Sequence, residues 1–358
     1  MSEMQRPWCI QLEPTEGCNY SCWFCGIHAI RETTNWHQYR YMDPALIREA
    51  FRDLRSWLPK IRVELNLHGE PTLNPKLNEI LRGIKEFPQA QIQMQTNGSE
   101  VEDPDAFEDR ADEWYDAGLN LYVLNCYKRW WGEKRADSRY GYFLDLAKRY
   151  TAKHPEIQLI DFYGDNPKHI STYHYHSPTK KFLFVMNDLG DVNTAVRAET
   201  GRPVSKDVTN MGGNSPQGPQ EKLMHKPRMT APLQKMCTRV YRELIFGWNG
   251  EVSVCCVDWS AQLTVGVFPR QSLKEIWYSD IFNVVRELLH RKNRNFTPCS
   301  NCDYMGGWRQ GLVTPPELTD TDAELLEKVR VHMETYKQYT HPRADVVIGM
   351  EELKAGRK

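Results

Sequence analysis

Cys18, Cys22 and Cys25 stand within eight residues of one another in GCNYSCWFCG, and three thiolates from one short loop can close on a single metal or iron–sulfur centre. No fourth cysteine lies in the neighbourhood. A cuboidal [4Fe–4S] cluster held by this triplet keeps one iron open to a ligand that is not protein. The alternative is a zinc knuckle, whose cysteines pair across about two to four residues and find a fourth ligand nearby.

A second group lies far along the chain. Cys237, Cys255, Cys299 and Cys302 supply four thiolates, enough to close another iron–sulfur cluster completely. Four cysteines suit a structural zinc ion equally well. Cys256 follows a presumed ligand directly, and Cys9 and Cys126 stand alone. Ten cysteines in a chain of 358 residues read as ligands or reactive thiols rather than a disulfide framework.

Composition narrows the class. Hydrophobic residues are 40% and charged residues 26%, with a net charge of -1, so neither a disordered chain nor a polyanion-binding protein is indicated, and there is no strong nucleic-acid signal. No apolar run reaches the length of a membrane span, and Met1 is followed by polar residues rather than a signal core. The expectation is a soluble, cytoplasmic protein with no membrane partner.

The elements that must position the cysteines are βα units. WCIQLEPT reads as a strand entering the cysteine loop, MDPALIREAFRDLRSWL as a helix, IRVELNLHGEP as a strand ending in a turn, and LNPKLNEILRGIKEF as a helix. QIQMQTNGS, LNLYVLNCY and IQLIDFYG continue the strands, with PDAFEDRADEWYDAG and YGYFLDLAKRYTAKH as the helices between them. KKFLFVMNDL is a sixth strand, inside a region from about 166 to 235 whose periodicity weakens and which holds the loop-like NMGGNSPQGPQ. Ligands of such sheets bind at the strands' C-terminal ends, where the cysteine loop, the HGEP turn and the QTNG turn all fall. Beyond it, ELIFGWNGEVSVCCVDW reads as a hairpin turning at Asn249-Gly250, SLKEIWYSDIFNVVRELLHRK as one amphipathic helix, and LTDTDAELLEKVRVHMETYKQY as a capped polar helix with a charged tail.

The triplet resembles the signature of the radical S-adenosylmethionine superfamily: three cysteines separated by three and then two residues, an aromatic before the last, here Phe24. HGEP at 68 to 71 resembles the family's Gly-Gly-Glu-Pro turn, with His68 in place of the first glycine and Gly69, Glu70 and Pro71 matching. The resemblance implies a [4Fe–4S] cluster bound to S-adenosyl-L-methionine, an electron donor such as flavodoxin or ferredoxin, and a 5′-deoxyadenosyl radical that abstracts substrate hydrogen. It places the cofactor's methionine moiety at Gly69 and Glu70, and its nucleoside near Asn97, Asn125 and Tyr127. The family commonly has serine and aspartate where Asn125 and Tyr127 stand.

The hairpin, helix and returning cysteine pair resemble the twitch domain, the short form of the SPASM extension, and imply one auxiliary [4Fe–4S] cluster. The implied fold is α/β: a partial (β/α)6 barrel over 1–235, a small C-terminal twitch/SPASM-like iron–sulfur domain over 236–314, and a helical tail over 315–358. The short form is associated with aminocyclitol dehydrogenation, so the expected reaction is oxidation of a small hydroxylated metabolite: an aminosugar, aminocyclitol or nucleoside-like compound. An epimerase would instead need a thiol hydrogen donor, for which Cys256 and, more remotely, Cys126 are the candidates. A peptide-modifying maturase is a further alternative, disfavoured because the first ligand is reached by residue 18 with no preceding recognition domain. The non-enzymatic alternative is a metal-binding scaffold. YKRWWGEKRADSRY, His174 and His176 read as solvated surface rather than a substrate pocket.

Overall fold

The structure, a computed structural model, describes residues 6–20, 39–99, 103–126, 139–161, 179–187, 231–259, 261–302, 304 and 313–336. β1 (Cys9–Leu12) leads into a two-residue strand β2 (Thr15–Glu16), which pairs antiparallel with β3 (Arg40–Tyr41) across the base of the cysteine loop. Next come α1 (Pro44–Trp57), β4 (Ile61–Glu64), α2 (Leu77–Lys85), β5 (Ala90–Thr96), α3 (Pro104–Ala117), β6 (Leu121–Cys126), α4 (Arg139–Lys153), β7 (Ile157–Asp161) and β8 (Lys181–Asn187). Asp43 caps α1 by accepting from the Ala45 N–H at 2.8 Å, a contact worth about 1 kcal/mol.

All six strands read from the sequence are present and parallel, in the order β1-β4-β5-β6-β8-β7. The sixth strand lies inside the fifth, pairing with β6 on one side and β7 on the other. Alternation along each strand divides the sheet faces. Ile10, Val63, Ile92, Met94 and Leu124 pack with the helices, whereas Leu121, Val123, Ile160, Phe182 and Phe184 form a separate buried cluster.

The C-terminal half continues the same sheet. β9 (Glu243–Phe246) pairs parallel with β1, and β10 (Glu251–Ser253) and β11 (Thr264–Val267) extend it antiparallel. The expected hairpin is there, with Gly250 at φ 89° in its turn, where an L side chain would be strained. The third strand was not legible in the sequence. The single helix expected over 272–292 is two, α5 (Leu273–Trp277) and α6 (Asp280–His290), because Ser279 starts a new helix by accepting from the Phe282 N–H at 3.3 Å. α7 (Asp322–Tyr336) docks on α6, burying Leu325 and Val329. No helix among the described residues is long and apolar enough to cross a membrane.

Candidate functional site

The cysteine loop is clipped at its base. Besides the β2–β3 ladder, Arg40 pairs with Glu16 at 3.3 Å, and the Asn74 amide donates to the carbonyls of Pro14 at 2.7 Å and Met42 at 3.3 Å. The strand entering the loop and the segment leaving it are thus held together. Cys18 is half-buried just above this clip, and its sulfur accepts from the Tyr20 N–H at 3.4 Å and the Asn97 amide at 3.5 Å. N–H donors aimed at a sulfur suit a thiolate ligand.

The HGEP and QTNG turns close around that loop. Gly69 passes so near the backbone that a Cβ built on it would stand 1.9 Å from the Thr15 carbonyl oxygen and 2.6 Å from that of Gly17. The Glu70 N–H donates to Gly17 O at 2.9 Å. The Glu70 carboxylate accepts from the Thr72 N–H at 3.1 Å and hydroxyl at 2.7 Å, and through its other oxygen from the Asn97 N–H at 2.8 Å. Its carboxylate therefore locks one turn to the other. The Asn97 amide also donates to Asn19 Oδ1 at 2.9 Å, and Asn19 donates to the Ser99 hydroxyl at 2.7 Å. Pro71 is buried at the start of a 3-10 turn, and Asn125 is buried at the C-terminal end of β6.

Cys22, Phe24, Cys25, Tyr127, His174 and His176, with the stretch 127–138, lie outside the described residues. Cys126 ends β6 opposite Asn187. Cys9 is fully buried, as expected for a strand thiol, and burial pushes it well above the usual thiol range.

The four distal cysteines lie around the part of the sheet that β9 and β10 add beside β1. None is in a disulfide. Cys237 precedes a 3-10 turn (Arg239–Tyr241), Cys255 follows β10, and Cys299 and Cys302 bracket a second 3-10 turn (Cys299–Asn301). Burial pushes the Cys237 and Cys299 thiols up, and each also feels the charge of Cys302. A hydrogen bond with Cys256 and burial do the same to Cys255. Among the described residues no three His, Cys, Asp or Glu side chains could grip a single metal ion. Cys302 acts on Cys237 and Cys299, and Cys237 acts on Cys299 and Cys255; four thiols on three short segments are a donor set whose chemistry fits an all-cysteine [4Fe–4S] cluster, which takes one cysteine per iron.

Sequence reasoning missed the groups that join the two regions. His68 Nε2 lies 2.8 Å from the Cys256 carbonyl oxygen, and Nδ1 lies 3.5 Å from Glu13 Oε1. Arg239 donates to the Cys256 sulfur at 2.9 Å, pairs with Glu243 at 3.4 Å, and lies 4.6 Å from the Tyr304 ring centroid. Only the replacement of a family glycine by His68 was a signal visible beforehand.

The chain matches the radical SAM superfamily over residues 12–126 and SPASM, an iron–sulfur cluster-binding domain, over residues 237–303. No curated protein matches it by sequence. Among solved structures, it is similar to BtrN in complex with AdoMet and 2-DOIA, with a TM-score of 0.56 and 18% identity over 86% of this chain and 97% of that one. It is also similar to BtrN in an open conformation, with a TM-score of 0.51 and 16% identity over 88% and 100% of the two chains.

Proposed function

Because the chain is a radical S-adenosylmethionine protein with a SPASM-type iron–sulfur domain, we propose that it oxidises an alcohol of a small hydroxylated metabolite, an aminosugar, aminocyclitol or nucleoside-like compound. Such proteins hold a [4Fe–4S] cluster with S-adenosylmethionine and an auxiliary iron–sulfur cluster. Cys18, Cys22 and Cys25 hold the first cluster, and Cys237, Cys255, Cys299 and Cys302 the second. When bound, the reduced first cluster and S-adenosylmethionine would supply the radical chemistry that removes one carbinol hydrogen atom; the remaining electron would pass to the auxiliary cluster and the hydroxyl proton to solvent, leaving a carbonyl. A one-electron donor of the flavodoxin or ferredoxin kind supplies the reducing electron.

The chain's own residues do the positioning. Gly69 lets the turn lie flat on the cysteine loop, Glu70 ties that turn to Asn97, and Asn97 reaches the Cys18 sulfur. The observation that supports the oxidative reading is the His68 contact, which brings the segment holding Cys255 and Cys256 against the HGEP turn. An electron acceptor is useful to a dehydrogenase there and dispensable to an epimerase. The small-molecule complex of BtrN, whose fold this chain shares, is in keeping with a small substrate.

The test is anaerobic reconstitution, reduction, and incubation with S-adenosylmethionine and a panel of amino-substituted cyclitols and sugars in heavy water. A product two electrons more oxidised, formed with 5′-deoxyadenosine, is expected. Deuterium at an inverted carbon without net oxidation would replace this reading with epimerisation. Failure to cleave S-adenosylmethionine at full iron loading would favour a scaffold role.

A further inference from the structure

Arg294 follows α6 and is 1% exposed. Its Nε donates to the Lys235 carbonyl at 2.8 Å, one Nη to that of Tyr304 at 2.8 Å, and the other to that of Met236 at 3.4 Å. These carbonyls flank the thiols: Lys235 and Met236 directly precede Cys237, and Tyr304 lies just beyond Cys302. Carbonyl oxygens satisfy N–H groups but do not neutralise a buried positive charge, which is costly unless an anion faces it. Arg239 has such a partner in Glu243. No carboxylate among the described residues forms an ion pair with Arg294.

What its fork holds are the thiol-bearing segments themselves, the two residues before Cys237 and the residue two beyond Cys302. Four thiolates on a [4Fe–4S] cluster carry net negative charge in both oxidation states, and reduction adds another. We propose that Arg294 is the built-in counter-ion of the auxiliary cluster, and that its buried charge raises the cluster's reduction potential so that it accepts an electron more readily. The proposal rests on Cys237, Cys255, Cys299 and Cys302 being the ligands. Arg294 is a positioning residue on this account, acting on substrate only through the cluster.

The test uses the full chain carrying Cys18→Ala, Cys22→Ala and Cys25→Ala, so that only the auxiliary site titrates, reconstituted anaerobically and followed by electron paramagnetic resonance against applied potential. Arg294→Gln is expected to shift the reduction equilibrium at least tenfold toward the oxidised cluster, about 59 mV for one electron. Arg294→Lys, which keeps the charge but cannot reach all three carbonyls, is expected to stay within that factor. Loss of iron from the glutamine variant but not from the lysine variant would support the same conclusion, since lysine keeps the positive charge that glutamine lacks. An unchanged potential in an iron-replete Arg294→Gln protein overturns the proposal, as does equal loss of iron from both variants. An iron-free parent with Arg294 intact would overturn the ligand assignment itself, a failure visible before any Arg294 variant is made.

Discussion

The imidazole Nε2 of His68 sits 2.8 Å from the carbonyl oxygen of Cys256, joining the HGEP turn to the segment next to Cys255. A carbonyl only accepts, so Nε2 carries the proton in this contact. Nδ1 faces Glu13 Oε1 at 3.5 Å, and Glu13 Oε2 receives the Trp248 N–H at 3.5 Å. One ring and one carboxylate therefore link the end of β1, the HGEP turn and the β9–β10 turn.

Replacing His68 by glycine, the family's residue, leaves the Cys256 carbonyl without this donor. The expected cost is about 1–3 kcal/mol, read as a lower melting temperature. Looser alignment of the two regions is also expected to release more 5′-deoxyadenosine per oxidised product than the wild type does. His68→Gln, which can still donate, should recover part of both. A glycine variant with wild-type stability and product ratio would show that the link does nothing.

Gly69→Ala tests the turn's close approach. The added Cβ would meet two backbone carbonyl oxygens, at 1.9 and 2.6 Å, and backbone cannot swing aside as a flexible side chain does. At least tenfold weaker S-adenosylmethionine binding is expected, about 1.4 kcal/mol. Anaerobic equilibrium dialysis checks it, with iron content confirmed to separate cofactor affinity from cluster loss. Unaltered affinity would mean that the turn lies elsewhere when the cofactor binds.

A pH effect is expected at the C-terminal helix. His332 of α7 contacts the Thr264 carbonyl at 2.7 Å and stacks on Tyr336, and burial holds its pKa below the ordinary histidine value, with that hydrogen bond opposing. A folded-state pKa that is depressed means stability present above the unfolded value and lost as pH falls below about 6.5. Amide exchange in 322–336 should therefore accelerate between pH 7.5 and about 5 relative to that in α1 after correction for intrinsic rates. His332→Gln should flatten that difference; a variant that keeps the wild-type pH dependence would assign it to another group.

The parallel strands were legible because each is a short apolar run bounded by turn residues, and Asp43-Pro44 marks a helix start by its chemistry alone. The insertion of β8 between β6 and β7 was not, since neighbour order depends on long-range pairing that no local pattern records. Ser279 is a capping residue inside an unbroken amphipathic pattern, so periodicity concealed the break it makes. Cysteine spacing exposed the candidate ligands, yet no local pattern marks Arg294 as buried. Its burial follows from three carbonyls brought together by folding.

The two cysteine groups make separable predictions about iron. They lie on different segments, Cys18 on the clipped loop beside Asn97 and the distal four around the extension of the sheet. Removing Cys18, Cys22 and Cys25 together is therefore expected to abolish S-adenosylmethionine cleavage while leaving about one [4Fe–4S] equivalent bound. Replacing Cys299 and Cys302 by alanine should instead remove the auxiliary cluster, leaving S-adenosylmethionine cleavage with little oxidised product. Iron and sulfide analysis with product counting reads both. Complete loss of iron from the triple variant would leave the distal cysteines with no cluster of their own, and undiminished oxidation by the double variant would leave that cluster with no part in the reaction.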